Sequence, residues 1–218
     1  PFGFDLGLVP RDSGGLIEVS AQASVALTST PQVLVWQDGL TLPITVALTY
    51  DSATDSYTGT VTLSTSLGLR GQLWGQATDT EGHTVTVLEP FNVQQVTAAD
   101  YAWLRSDDGN FEVFLKPNSL VSDTMVSIVP SDRVSLTQGS LVMVGSAYEV
   151  NVSSGEYALS QTAAVNMRYH AEMVANVVTS TMQIYHWDAQ ARQWVSDGGT
   201  VDPDHGLVST RADHLSTF

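Results

Sequence analysis

Apolar and polar residues alternate along most of this chain. The runs VALTSTPQVLVW (25–36), ITVALTY (44–50) and GTVTLSTSL (59–67) set Val, Leu or Ile between Ser and Thr. A period of two is the pattern of a strand with one buried face. Turn residues recur roughly every 8–12 positions, the spacing of sandwich strands. The pattern predicts strands near 16–28, 32–36, 43–50, 57–64, 71–79 and 83–96. After a break it predicts strands near 111–115, 124–129, 141–152, 162–169, 181–187, 192–196 and 207–212. Asp51–Ser56 and Asp79–Gly82 read as hairpin loops, with Gly82 supplying the left-handed residue such turns need. The segment QQVTAADYAW (94–103) interrupts the alternation and is the expected boundary. HAEMVANVV (170–178) fits either a short helix or a loop. The expected fold is all-β: two tandem antiparallel β-sandwich domains, at 1–97 and 98–218.

Composition agrees with β structure and narrows the setting. Val (27 residues), Ser (23) and Thr (23) dominate the 218 positions, and β-branched residues suit a pleated, half-buried surface. With 8 basic and 23 acidic residues the net charge is −15, split as −7 over 1–97 and −8 over 98–218. Scattered arginines and a single lysine make no basic patch for phosphate, so nucleic acid and anionic membranes are not expected partners. No apolar run approaches the roughly 20 residues of a membrane-spanning helix, so membrane insertion is not expected. The chain has no cysteine, hence no disulfide, thiol nucleophile or thiolate metal site. A Ser/Thr-rich, Lys-poor acidic chain suits the outside of a bacterial or archaeal cell. The expectation is a piece of a larger secreted or cell-surface protein.

The second half carries an ordered set of motifs. Phe111-Glu112-Val113-Phe114-Leu115-Lys116-Pro117-Asn118-Ser119-Leu120 is followed by Asp123-Thr124-Met125-Val126-Ser127-Ile128. Then come Ala147-Tyr148-Glu149-Val150, Ser154-Gly155 and Ala163-Ala164-Val165-Asn166-Met167-Arg168-Tyr169. Ile184-Tyr185-His186-Trp187-Asp188, a four-residue turn and Gln193-Trp194-Val195 make a hairpin, and Ala212–Phe218 closes the chain. In this order the segments resemble a ZU5-like β-sandwich domain of the bacterial extracellular type. Asp107-Asp108-Gly109 stands where that family opens on Gly-Gly. The first half resembles Ig-like or fibronectin-like modules only generically. The tandem layout implies an Ig-like domain followed by a ZU5-like one, serving as a non-catalytic structural or interaction module.

His214-Leu215-Ser216 is the sharpest chemical candidate. In some relatives of ZU5-like domains such a triplet cleaves itself, which implies cleavage between Leu215 and Ser216. The Ser216 hydroxyl would attack the Leu215 carbonyl while His214 takes the proton. The preferred reading is a closing strand with inward Leu215 and Phe218 and a His–Ser pair in hydrogen bonds. Acidic turns form a second set: Asp107-Asp108, Asp202-Pro203-Asp204, Asp79/Glu81 and Asp51/Asp55 supply the oxygens calcium prefers. Asp107, Asp108, Asp202 and Asp204 are the calcium candidates, although turn aspartates also bond their own backbone. The five histidines show no metal-site spacing. Trp36 and Trp74 lie in apolar strands and read as core, whereas Trp187 and Trp194 flank one hairpin and can pack on each other. If two tryptophans share an exposed face, a carbohydrate-binding module is the alternative reading. The expected partners are therefore neighbouring domains, another surface protein or a glycan. Asn151-Val152-Ser153 is a formal glycosylation sequon.

Overall fold

The computed structural model describes residues 2–131, 141–175 and 177–218. Among them the chain is all-β, and every strand pairing is antiparallel. The first sheet has the order β1-β2-β6-β5, from β1 (Phe4–Pro10), β2 (Leu16–Ala23), β5 (Thr49–Asp51) and β6 (Ser56–Thr62). The middle sheet is β12-β11-β8-β7-β3-β4. Its members are β3 (Gln32–Gln37), β4 (Ile44–Val46), β7 (Arg70–Thr78), β8 (Thr84–Val96), β11 (Thr124–Ser131) and β12 (Ala147–Val152). The third sheet is β16-β17-β13-β10-β9, from β9 (Ala102–Arg105), β10 (Phe111–Leu115), β13 (Ala158–Arg168), β16 (Thr200–Asp202) and β17 (Leu207–His214). The strands β14 (Ile184–Asp188) and β15 (Gln193–Gly198) form a separate hairpin.

The middle sheet runs across position 97. Strand β8 pairs with β7 from Thr84 to Asn92, and with β11 from Asn92 to Val96. Two cores follow from the alternation of side chains along these strands. On one face Val33, Val35, Leu73, Phe91 and Val93 pack against Leu6, Leu8, Ile17 and Val19 of the first sheet, joined by Met125 and Val129 of β11. On the other face Val96, Val126, Ile128, Val150 and Val152 pack against Leu104, Phe111, Val113 and Val165 of the third sheet. Strand β11 is thus buried on both sides, with only Pro130 partly exposed.

Several boundaries differ from the sequence expectation. Strand β1 was hidden in FDLGLVP, where Phe4, Leu6 and Leu8 alternate inward but Gly7 and Pro10 are poor strand formers. Strand β9 lies at the end of the expected break, and β16 is a three-residue edge. The predicted strand 43–50 divides into β4 and β5, which belong to different sheets. The predicted strand 16–28 ends at Ala23, and the predicted strand 141–152 begins only at Ala147. Within 170–178 the chain makes a single helical turn at Ala171–Val174, and Asn176 lies outside the described residues.

Because Met125 sits in the core shared with the first sheet, its truncation should be felt across the boundary. Met125→Ala is expected to lower unfolding free energy by about 2–5 kcal/mol in a urea titration. A loss below about 1 kcal/mol would show that β11 does not carry the packing described.

Candidate functional site

The His214-Leu215-Ser216 triplet lies where the last strand leaves the third sheet. Beyond His214 the chain crosses to the free edge of β12. There the Val150 amide donates to the Ser216 carbonyl (3.0 Å), and Tyr148 and Phe218 exchange backbone bonds at 2.8 and 2.9 Å. On its other side the Trp187 amide donates to the Thr217 carbonyl (2.9 Å). Leu215 and Phe218 are buried, as the closing-strand reading expects. The Ser216 hydroxyl donates to the Trp187 carbonyl at 3.3 Å. His214 holds Asp213 through Nδ1 (2.9 Å), while its buried Nε2 has no partner among the described residues. The His214 bond lowers the Asp213 pKa. The His214 ring meets His186 edge-on at 4.3 Å, and His186 is itself bonded to Asp197 at 2.9 Å. The geometry therefore brings a second histidine to His214, and the Ser216 hydroxyl bonds the Trp187 carbonyl rather than either ring.

The acidic turns mostly bind themselves. Asp108 accepts from Ser106 Oγ (2.5 Å), the Asn110 amide (3.0 Å), Asn110 Nδ2 (3.0 Å) and the Tyr148 hydroxyl (2.5 Å). Desolvation raises its pKa, but the bonds from Ser106, Tyr148 and Asn110 outweigh that and hold it below the usual carboxylate range. Burial, reinforced by Asp108, pushes the Tyr148 phenol far up. Tyr148 in turn stacks on Phe111 with ring centroids 5.1 Å apart, so the turn is anchored to the second core. Asp107 pairs with Arg70 of β7 at 3.1 Å. Asp202 accepts from the amides of Asp204 and His205 and from His205 Nδ1 (2.7 Å), while Asp204 is exposed. The His205 bond is the leading cause of a lowered Asp202 pKa. Among the described residues no three His, Asp or Glu groups converge as a metal site. The sequon asparagine, Asn151, is buried, with its amide bonded to the Leu8 carbonyl at 3.2 Å.

The tryptophans divide in a way that periodicity missed. Trp187 and Trp194 face each other across the β14–β15 hairpin, edge-on at 5.7 Å. Trp36 is 43 % exposed rather than core, because the inward residues of its strand are Val33 and Val35. Its run VLVW is apolar on both faces, so period alone does not show which side is buried. Cross-strand neighbours share a face, which places Leu34 beside Trp74 and Leu88, and Trp36 beside Gln72 and Pro90. Leu88 is 59 % exposed.

A second aromatic group lies on the outer side of the third sheet. Trp103 and Tyr101 are 62 % and 69 % exposed. Phe114 is the cross-strand partner of Trp103 and stacks with Tyr101 at 5.7 Å. Arg105 lies 5.2 Å from the Trp103 ring centroid and 2.7 Å from the buried Glu112 carboxylate. An apolar depression of about 420 Å³ opens elsewhere, between Met143, Met167, Met182, Ile184 and Phe218. The buried Tyr169 hydroxyl at its lining has no partner among the described residues. Its rim begins at Leu141, directly after the undescribed residues 132–140.

Comparison with known proteins finds no matching family model, no matching curated protein and no matching solved structure.

The Asp108 contacts predict an acid-side effect. A carboxylate with a depressed folded pKa adds stability that is complete above its unfolded value near ~4 and lost as pH falls through the folded value. The urea midpoint should therefore fall between about pH 4 and pH 2. Asp108→Asn should start lower and show a shallower acid limb. Parallel curves for the two proteins would remove Asp108 from this role.

Proposed function

We propose that the chain is an Ig-like β-sandwich at 1–97 followed by a ZU5-like one at 98–218, joined through a shared sheet. It serves as a non-catalytic structural and interaction module of a larger secreted or cell-surface bacterial protein. The observation that carries this reading is the exposed aromatic group Tyr101, Trp103 and Phe114. Large apolar side chains clustered on a sheet face mark a surface that meets a partner. Here the partner is a neighbouring domain of the same protein. Two features support a spacing role. A continuous six-stranded sheet resists bending between the two cores, and the Arg70–Asp107 pair links the halves a second time.

Amide hydrogen exchange tests the docking role, comparing the isolated chain with the full parent protein. Residues 101–105 and 111–115 should exchange more slowly in the parent. The protection should vanish in a Tyr101→Ser/Trp103→Ser variant. Equal exchange in both settings would count against this face as a docking surface.

The non-catalytic reading also predicts the fate of the Leu215–Ser216 bond. With the Ser216 hydroxyl held by the Trp187 carbonyl, the intact mass should persist through prolonged incubation and match that of Ser216→Ala. A new N-terminus at Ser216, lost in the variant, would establish the autoproteolytic alternative.

A further inference from the structure

The outward face of β3, β7 and β8 differs in composition from the threonine-lined side of β6. On the first sheet, the intervening positions of β6 are Thr58, Thr60 and Thr62. On the middle sheet they are Gln32, Leu34 and Trp36 in β3, Gln72, Trp74 and Gln76 in β7, and Thr86, Leu88 and Pro90 in β8. None of these nine residues is charged, in a chain holding 23 carboxylates. Arg70, further along the same face of β7, is paired with Asp107.

The hydrogen-bonding capacity of this face is largely unspent. Gln76 donates to Thr86 Oγ1 at 3.3 Å, while the Gln32 and Gln72 amides and both indole N–H groups have no partner among the described residues. Each tryptophan has an amide beside it: Trp36 lies opposite Gln72, and Trp74 is flanked along its strand by Gln72 and Gln76. Leu34, Trp74 and Leu88 form one apolar row across the three strands, with Gln32 and Gln76 on one side of it and Trp36 and Gln72 on the other.

We propose that this face binds a neutral glycan, with Trp36 and Trp74 stacking on sugar rings and Gln72, Gln76 and Gln32 bonding the hydroxyls between them. The proposal deepens the reading of the chain as a non-catalytic binding module and rests on it. The match is one of charge and of pattern. A pyranose presents an apolar C–H face that suits an indole ring, rimmed by hydroxyls that both donate and accept, as a glutamine amide does. An acidic polysaccharide would meet the repulsion of a −15 chain, with no free cation among the described residues of this face to offset it.

The test titrates the full 218-residue chain with neutral β-linked hexasaccharides of glucose, xylose and N-acetylglucosamine, and with polygalacturonate as the anionic control. Binding is read by calorimetry and by tryptophan emission. At least one neutral sugar should bind, and polygalacturonate should not. Trp36→Ala should weaken binding about tenfold or more, as expected for an aromatic anchor. Gln72→Ala, at an exposed position that packs no core, should weaken it by a smaller but measurable factor. Trp103→Ala should leave it unchanged, since that ring belongs to the third sheet. Circular dichroism and an unchanged melting temperature confirm that the variants fold. The proposal is overturned if no neutral sugar binds at millimolar concentration, if polygalacturonate binds as well, or if Trp36→Ala and Gln72→Ala bind like the parent. It is also overturned if Trp36→Ala dissolves a dimer without any sugar effect. Loss of sugar binding alone would leave the Tyr101–Trp103 docking surface standing, because hydrogen exchange reads that face separately.

Discussion

The fold depends on a strand buried on both faces. Along β11, Met125, Ser127 and Val129 point towards the first sheet, and Val126 and Ile128 towards the third. A polar group at such a place must find a partner, since an unpaired one costs about 1–3 kcal/mol. Ser127 finds it in the Leu8 carbonyl at 3.1 Å, and Asn151 of the adjacent β12 donates to the same oxygen at 3.2 Å. Leu8 belongs to β1, the edge of the first sheet, where a row of backbone groups lacks a neighbouring strand. The two side chains thus satisfy an edge carbonyl and fix how the first sheet crosses the middle one. Without that crossing, the two cores would not share a layer.

The second core is closed by a similar economy of polar groups. Tyr148 brings a phenol into an apolar cluster with Phe111 and Phe218, and its hydroxyl donates to Asp108 at the surface end. The carboxylate that sequence reading offered to calcium is thereby spent on the protein's own donors. Its neighbour Asp107 reaches back to Arg70 in the first half. One acidic turn therefore ties a buried aromatic, its own backbone and the opposite half together. The chain's last residues add the remaining link, since Phe218 and Ser216 bond the free edge of β12 while Thr217 bonds the β14 hairpin.

Most strands were legible because alternation survives wherever one face is wet. In Gly71–Ala77 the inward Leu73 and Ala77 alternate with outward glutamines and Trp74, and the prediction holds there. Legibility fails where the alternation is short or both faces are apolar. In FDLGLVP the alternation of Phe4, Leu6 and Leu8 is short and carries Gly7 and Pro10, both poor strand formers, which concealed β1. VLVW is apolar throughout, yet its two valines and its leucine and tryptophan face opposite sides. The exposure of Trp36 could have been inferred from its partner strand, where Gln72 and Gln76 mark the outward side unambiguously. Register links the two strands, however, and register is a tertiary fact. The pairing of β8 with β11 across position 97 was hidden for the same reason, since local alternation says nothing about which strand lies alongside.

The distribution of charge then separates two kinds of surface. Many carboxylates sit in turns, where Asp51, Asp79, Asp188 and Asp202 each accept backbone amides from the next few residues. Those bonds lead in lowering the pKa of Asp51 and Asp188, and the His205 ring leads at Asp202. At Asp79 desolvation raises the pKa, but the bonds from His83 and Glu81 outweigh it. Such residues serve turn geometry first, and the net charge is a by-product of having many turns. The flat faces between them need no turn chemistry, so their side chains are free to be neutral. At physiological salt a turn carboxylate is screened within about 8 Å, roughly the span of two strands. Along β7, Trp74 is separated from the turn carboxylate Asp79 by roughly 16 Å of extended strand, well beyond that distance. A strongly acidic molecule can therefore present an electrically quiet platform, and what that platform accepts is decided by rings and amides rather than by ionic attraction.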